Sequence, residues 1–157
     1  MIKKLVFPKD NDPRLIGAYF EEYTKSVLLK QGFGFIAHSF RAHPYEVDLI
    51  MTDGTDIVFI EVKARLNSEE IKPEFSVDRT KMKNIFFAAA RFISQMEEEG
   101  IDPAAFGYRF DMAAIEHGKD GDVTSFRYHK NYYETNEAEL LRYAKRYGYA
   151  SQNKIER

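Results

Sequence analysis

The stretch "IVFIEVKA", residues 57–64, has the apolar density of a buried strand, yet it sets Glu61 and Lys63 where two further apolar side chains are due. Side chains alternate along a strand, so Ile57, Phe59, Glu61 and Lys63 share one face while Val58, Ile60, Val62 and Ala64 share the other. The second face is wholly apolar and belongs to a core. An ionised carboxylate in such a strand is costly unless a cation, a hydrogen-bond network or a metal ion compensates it.

The residues just upstream supply a partner. "YEVDLIM", 45–51, is a second strand with Glu46 and Asp48 on one face, and "DGTD", 53–56, is a turn signal joining it to the first. If Asp53 to Asp56 form the loop, Thr52 faces Ile57 and Asp48 lies opposite Glu61; a shift to a two-residue loop puts Glu46 there instead. In either register two carboxylates share a face with Cβ atoms about 4.5–5.5 Å apart, a spacing from which they converge on one hard cation. Lys63 then stands beside that cation as base or charge stabiliser. The plainer alternative is a structural salt-bridge cluster on a solvent-facing sheet edge.

Working outward, "DPRLIGAYFEEYTKSVLLKQGF" carries apolar residues at helical spacing and predicts a helix over 13–31, with Asp12 as cap, Pro13 in the first turn and Gly32 as stop. "FGFIAHSFRA" is a strand preceding the hairpin. "RLNSEEIKPEFSVD" has no period and holds Pro73, which makes it a loop. A second helix follows from Arg79, striped by Met82, Ile85, Phe86, Ala89, Phe92, Ile93 and Met96. Two strands flank "HGKDGD", and a third helix is opened by Thr135 or Asn136 and stopped by Gly148. The order α-β-β-β-α-β-β-α predicts a mixed α/β sheet flanked by helices.

The 157 residues suit one domain, 1–157, with 1–12 a polar lead-in and 135–157 a C-terminal helical addition. Apolar content of 44% and charged content of 31% are those of a soluble globular chain. No stretch approaches the roughly 18 apolar residues of a membrane span, and Pro8 cuts short any signal-like run. The absence of cysteine excludes a disulfide framework, a thiolate nucleophile and a Cys-based zinc site. These features suit a cytoplasmic protein without a membrane partner. The formal net charge of −2 gives no global attraction to a polyanion, so any positive potential must be local.

An acid on one strand followed by Glu61-Val62-Lys63 on the next resembles the signature of the PD-(D/E)XK nuclease superfamily. More narrowly, "GAYFEE" with Gly17 and Glu21 opening the first helix, "KQGF", "EVDLI", "VFIEVKAR", Lys81 and "YRFDMAAIE" resemble, in order, the YraN-like family, related to archaeal Holliday-junction resolvases. The match spans roughly residues 14 to 116. It implies a restriction-endonuclease-like fold and a metal-dependent nuclease that hydrolyses DNA phosphodiester bonds, on branched or structured DNA. By the same resemblance Asp48 and Glu61 are metal ligands, the Val62 carbonyl is a third, Lys63 orients or deprotonates the attacking water, and Glu21 (or its neighbour Glu22) completes the site. A homodimer is implied by kinship with resolvases that act on two-fold substrates. The chain departs from the family in having Tyr45 for a Gly before the hairpin acid and Ser39 for an Asn, and Tyr45 is expected to narrow the groove.

Oxygen-only ligands suit Mg²⁺ or Mn²⁺ better than zinc, and His38, His43, His117 and His129 show no zinc spacing. The histidines are expected on the surface or in a groove. Arg41, Arg65, Arg79, Lys81 and Lys83 cluster in sequence around the proposed site and are candidates for gripping a phosphate backbone, with DNA favoured over RNA. "FRYHKNYY" and "LRYAKRYGY" interleave aromatic and basic residues, a pattern for base stacking or, more commonly, for half-buried packing. The alternative to an enzyme is a catalytically inactive nucleic-acid-binding or assembly module that keeps the nuclease fold.

Overall fold

The computed structural model describes residues 5–67 and 79–155, with the backbone alone at 79 and 148–155. Most of the segment read as the loop "RLNSEEIKPEFSVD", from 68 to 78, lies outside the described residues. The elements are α1 (Pro13–Lys30), β1 (Gly34–Ala42), β2 (Tyr45–Asp53), β3 (Asp56–Leu66), α2 (Arg79–Glu98), a 3₁₀ turn at Pro103–Ala105, β4 (Gly107–His117), β5 (Val123–Tyr133) and α3 (Glu137–Ile155). The five strands form one sheet in sequence order. β1, β2 and β3 are antiparallel neighbours, β3 and β4 are parallel, and β4 and β5 are antiparallel. The parallel step from β3 to β4 requires a crossover, and α2 provides it.

Local chemistry sets the helix ends. The Asp12 carboxylate accepts the Arg14 N–H at 2.9 Å and Pro13 occupies the first turn, so α1 starts where its orphan donors are satisfied. It stops at Gly32, whose φ of +96° lets the Phe33 N–H return to the Leu28 carbonyl at 3.0 Å. The Asn136 side-chain oxygen accepts the Glu139 N–H at 3.1 Å and so opens α3. The stop expected at Gly148 is not one: α3 continues through it to Ile155. A glycine inside a helix costs about 1 kcal/mol relative to alanine, which weakens a helix without ending it.

β3 is buried on both faces. Ile57 and Phe59 join Ile85, Ala89, Ile93, Phe110 and Leu140 in a core between the sheet and the α2–α3 pair. Val58 and Ile60 join Leu28, Phe33, Leu49 and Met51 in a second core beneath α1. With apolar layers on either side, any charge at position 61 must find its partners inside the protein.

Candidate functional site

The hairpin register decides which acid meets Glu61. Thr52 pairs with Ile57 and Leu49 with Ile60, the register in which Asp48 is next in line opposite Glu61. The loop itself is shorter than four residues, because Asp53 and Asp56 still pair and only Gly54 (φ +61°) and Thr55 turn the chain. Past Leu49 and Ile60 a side chain takes over the ladder: the Asp48 carboxylate accepts the Val62 N–H at 2.8 Å. Within a strand the N–H and C=O of one residue point to the same side, so the Val62 carbonyl also faces the β2 side, toward Asp48.

Glu61 is 2% exposed. Its Oε2 accepts the Tyr133 hydroxyl at 2.7 Å, and its Oε1 lies 3.0 Å from the Lys81 ammonium. That second contact is an ion pair, and Oε1 is a buried oxygen that accepts no hydrogen bond, with acceptor capacity to spare. Glu21 reaches the same cluster from α1. It sits in the middle of that helix rather than opening it, so its charge has no first-turn dipole to favour it. Ser39 donates to Glu21 Oε2 at 3.4 Å. The backbone at Ser39 has φ +49°, a region that asparagine enters more readily than serine.

The cluster is electrostatically costly without a cation. Burial, followed by the charges of Asp48 and Glu46, raises Glu21 from the ordinary 4.5 to about 7. Burial raises Asp48 from 3.8 to about 6, with the Val62 N–H and Lys81 opposing the rise and Glu61 adding to it. Between pH 4.5 and 7 folded Glu21 binds more protons than the unfolded chain, so its contribution to stability falls as pH rises through that window. Glu21→Gln is therefore expected to stabilise the metal-free protein at pH 8 by about 1 kcal/mol, a figure discounted for partial exposure, and to change nothing at pH 4. Urea denaturation in a chelator at the two pH values checks this, and an equal effect at both would remove the electrostatic account.

Among the described residues, no three His, Asp or Glu side chains are already gathered as a group that could hold a metal ion. The donor chemistry nevertheless suits a hard divalent cation: an aspartate, a glutamate with a spare buried oxygen, and the Val62 carbonyl on the β2 side of β3. Lys63 is half-buried on β3 opposite Ala114 of β4.

The other basic residues are dispersed. Arg41 lies 3.8 Å from Glu46 on the β1–β2 hairpin. Arg65 lines an open cleft of about 1080 Å³ with Phe7, Lys9, His117 and Lys119, and neither Asp48 nor Glu61 lines it. Lys83 lines a groove of about 440 Å³ between α2 and α3 with Phe86, Tyr133 and Tyr143. The side chain of Arg79 lies outside the described residues. Of the five, Lys81 is placed against Glu61, 3.0 Å from its Oε1. His117 lines the Arg65 cleft, as expected of a groove residue, but is only 6% exposed, its ring tilted against Phe20 at 4.4 Å. Tyr45 turns toward α2, its ring 5.0 Å from Phe87.

Sequence reasoning passed over two features. One is Tyr133. The other is Asp111 on β4, 1% exposed, which takes a bidentate bond from Arg109 at 2.9 Å per arm, the Tyr128 hydroxyl, and the Asn131 N–H at 2.8 Å. Arg109 also holds Asp53 at 2.9 Å and keeps that carboxyl below its usual range. Burial and then the charge of Asp111 push the Tyr128 phenol well up.

The model of the "Uncharacterised protein family UPF0102" matches residues 20–115, a span that contains Glu21, Asp48, Glu61, Lys63 and Lys81. The chain belongs to the UPF0102 family. UPF0102 proteins of Chlorobaculum tepidum, Vibrio campbellii and Thermodesulfovibrio yellowstonii are 34%, 35% and 36% identical to it. The matches cover 67%, 68% and 66% of this chain and 78%, 86% and 88% of theirs. Among solved structures, Pyrococcus furiosus SfsA in complex with Ca²⁺ is similar at a TM-score of 0.34 and 16% identity, over 76% of this chain and 64% of that one, too slight a likeness to carry an argument. The UPF0102 segment ends before β5 and α3, so Tyr133 lies outside it. No helix among the described residues is long and apolar enough to cross a membrane.

Proposed function

We propose that this UPF0102 protein is a Mg²⁺- or Mn²⁺-dependent nuclease of the PD-(D/E)XK type, with a restriction-endonuclease-like sheet, that hydrolyses DNA phosphodiester bonds in branched or structured DNA. The observation that carries the reading is the end of the β2–β3 ladder, where Asp48, the residue beyond the Leu49–Ile60 pair, accepts the Val62 N–H at 2.8 Å. Asp48, Glu61 Oε1 and the Val62 carbonyl would hold the ion, with Glu21 beside them. Such an ion supplies a more acidic water and neutralises the charge that develops on the phosphate and the leaving oxygen.

The chain's own residues do the rest. Lys63, two residues beyond Glu61, would orient the attacking water or, as the neutral amine, accept its proton. Lys81 balances Glu61 and, with its ammonium side chain 53% exposed, is placed to meet a phosphate oxygen. DNA rather than RNA, and a homodimer on two-fold junctions, follow from the resolvase kinship. A second reading, an inactive nucleic-acid-binding or assembly module, draws on one observation: both Glu61 oxygens already have protein neighbours.

Calorimetry of Mn²⁺ binding to wild type and Asp48→Ala, followed by a screen of linear, flapped and four-way DNA, tests the proposal. The expected result is Mn²⁺ binding and divalent-dependent cleavage in wild type, both lost in Asp48→Ala. DNA binding without cleavage, unchanged by Asp48→Ala and Lys63→Ala, would establish the second reading. Absence of DNA affinity at low salt would end both.

A further inference from the structure

Tyr133 is the last residue of β5, 5% exposed, and its ring belongs to the core between the sheet and the α2–α3 pair. Its hydroxyl crosses β4 to reach Glu61 on β3 at 2.7 Å. That reach depends on an irregular stretch of β5. From Ile115↔Phe126 to Met112↔His129 the two strands keep one register, which if continued would put Asn131 opposite Phe110. Instead Tyr133 stands there, because β5 carries two extra residues in a bulge centred on Asn131, whose φ is +55°. Bulges re-aim side chains, and this one has a dedicated support: the Asn131 N–H, set free by the bulge, is taken by Asp111 at 2.8 Å.

We infer that Tyr133 is a positioning residue for Glu61: by occupying Oε2 it leaves Oε1 as the oxygen presented to a divalent cation. A glutamate has three side-chain torsions, and in a packed core its carboxylate turns to whichever donors are nearest. With the phenol bound on one side, Oε1 is the oxygen turned away from β5, 3.0 Å from the Lys81 ammonium of α2. Without the phenol, both oxygens are free to rotate toward Lys81, and the carboxylate is no longer restricted to one-oxygen ligation. Hydrogen-bond partners of metal-ligating carboxylates are commonly worth a factor of about 10–100 in metal affinity. Because β5 lies beyond the family-matched residues 20–115, this role belongs to the part of the chain that completes the sheet rather than to the segment bearing the acids.

The inference rests on the nuclease reading, and Mn²⁺ affinity separates the two. Calorimetry at pH 8 on wild type, Tyr133→Phe, Glu61→Gln and the double variant, with thermal unfolding of each in chelator, is the experiment. Tyr133→Phe keeps the ring in its core and is expected to fold while binding Mn²⁺ about 10-fold or more weakly. In the Glu61→Gln background the same change should add no further loss, since the group it orients is gone. Tyr133→Met, flexible enough to refill the site, carries the same expectation should the phenyl ring pack poorly. Wild-type affinity in Tyr133→Phe, or an equal loss in the Glu61→Gln background, would overturn the positioning role and leave the nuclease reading intact. Failure of wild type itself to bind Mn²⁺ would overturn both.

Discussion

Asp111→Ala is expected to cost about 3–5 kcal/mol of stability, a large share of what holds a domain of this size together. The substitution leaves the Tyr128 hydroxyl and the Asn131 N–H in a buried setting without their acceptor and strips Arg109 of its bidentate partner. Arg109 keeps Asp53 at 2.9 Å, so the cost comes chiefly from the two neutral donors and from collapse of the bulge they support. Asp111→Asn should cost less, because the amide oxygen still accepts from Asn131, although its NH₂ must face the guanidinium. Urea denaturation with the slope held constant measures both. A loss below about 1 kcal/mol for Asp111→Ala would mean that water or a new partner replaces the carboxylate. Since the bulge delivers Tyr133, the folded fraction of Asp111→Ala should also show the weakened Mn²⁺ binding of Tyr133→Phe.

Asp111 also shows where the sequence was legible and where it was not. Arg109 and Asp111 in "YRFDM" form the same kind of pair as Glu61 and Lys63 in "FIEVK": two opposite charges, two residues apart, in an apolar strand. Alternation says that each pair shares a face, and no more. On β4 the two members bond each other and close a structural network. On β3 Glu61 turns instead to β5 and α2. The difference lies in what the neighbouring strands carry, which is tertiary information. Hairpin chemistry at "DGTD" located the turn but left Asp48 and Glu46 as alternatives, and the structure combines a two-residue turn with the register that favours Asp48. Tyr133 was hidden because its partner is two strands away and a bulge displaces the count by two. The available hint was Asn131, a residue disfavoured in strands and tolerant of positive φ, sitting inside a run of aromatic and basic residues. The near-complete burial of His117 within its cleft was hidden for a related reason: nothing local says that Phe20, from α1, will cover the end of β4.

On the proposed nuclease reading, Asp48→Asn is expected to make the metal-free protein more stable while abolishing its activity. The amide oxygen still accepts the Val62 N–H, so the strand end keeps its bond. What disappears is a carboxylate whose ionisation is opposed by burial and by Glu61. Folded Asp48 titrates near 6 against 3.8 in the unfolded chain, so the cost of ionising it accrues as pH rises through that interval and is complete above it. Removing the charge should therefore stabilise by about 2 kcal/mol at pH 8 and by nothing at pH 3.5. Cleavage should meanwhile fall by a factor of about 10² or more, because the ion loses an anionic oxygen. Lys63→Ala separates the next step: Mn²⁺ affinity should persist while cleavage drops about 10²–10⁴-fold, the range for loss of a proton-transfer group. Opposite signs for stability and activity at one residue mark a site whose strain serves function. A destabilised Asp48→Asn with unchanged Mn²⁺ binding would instead make Asp48 a strand cap that happens to be acidic, and the metal site would have to be sought elsewhere.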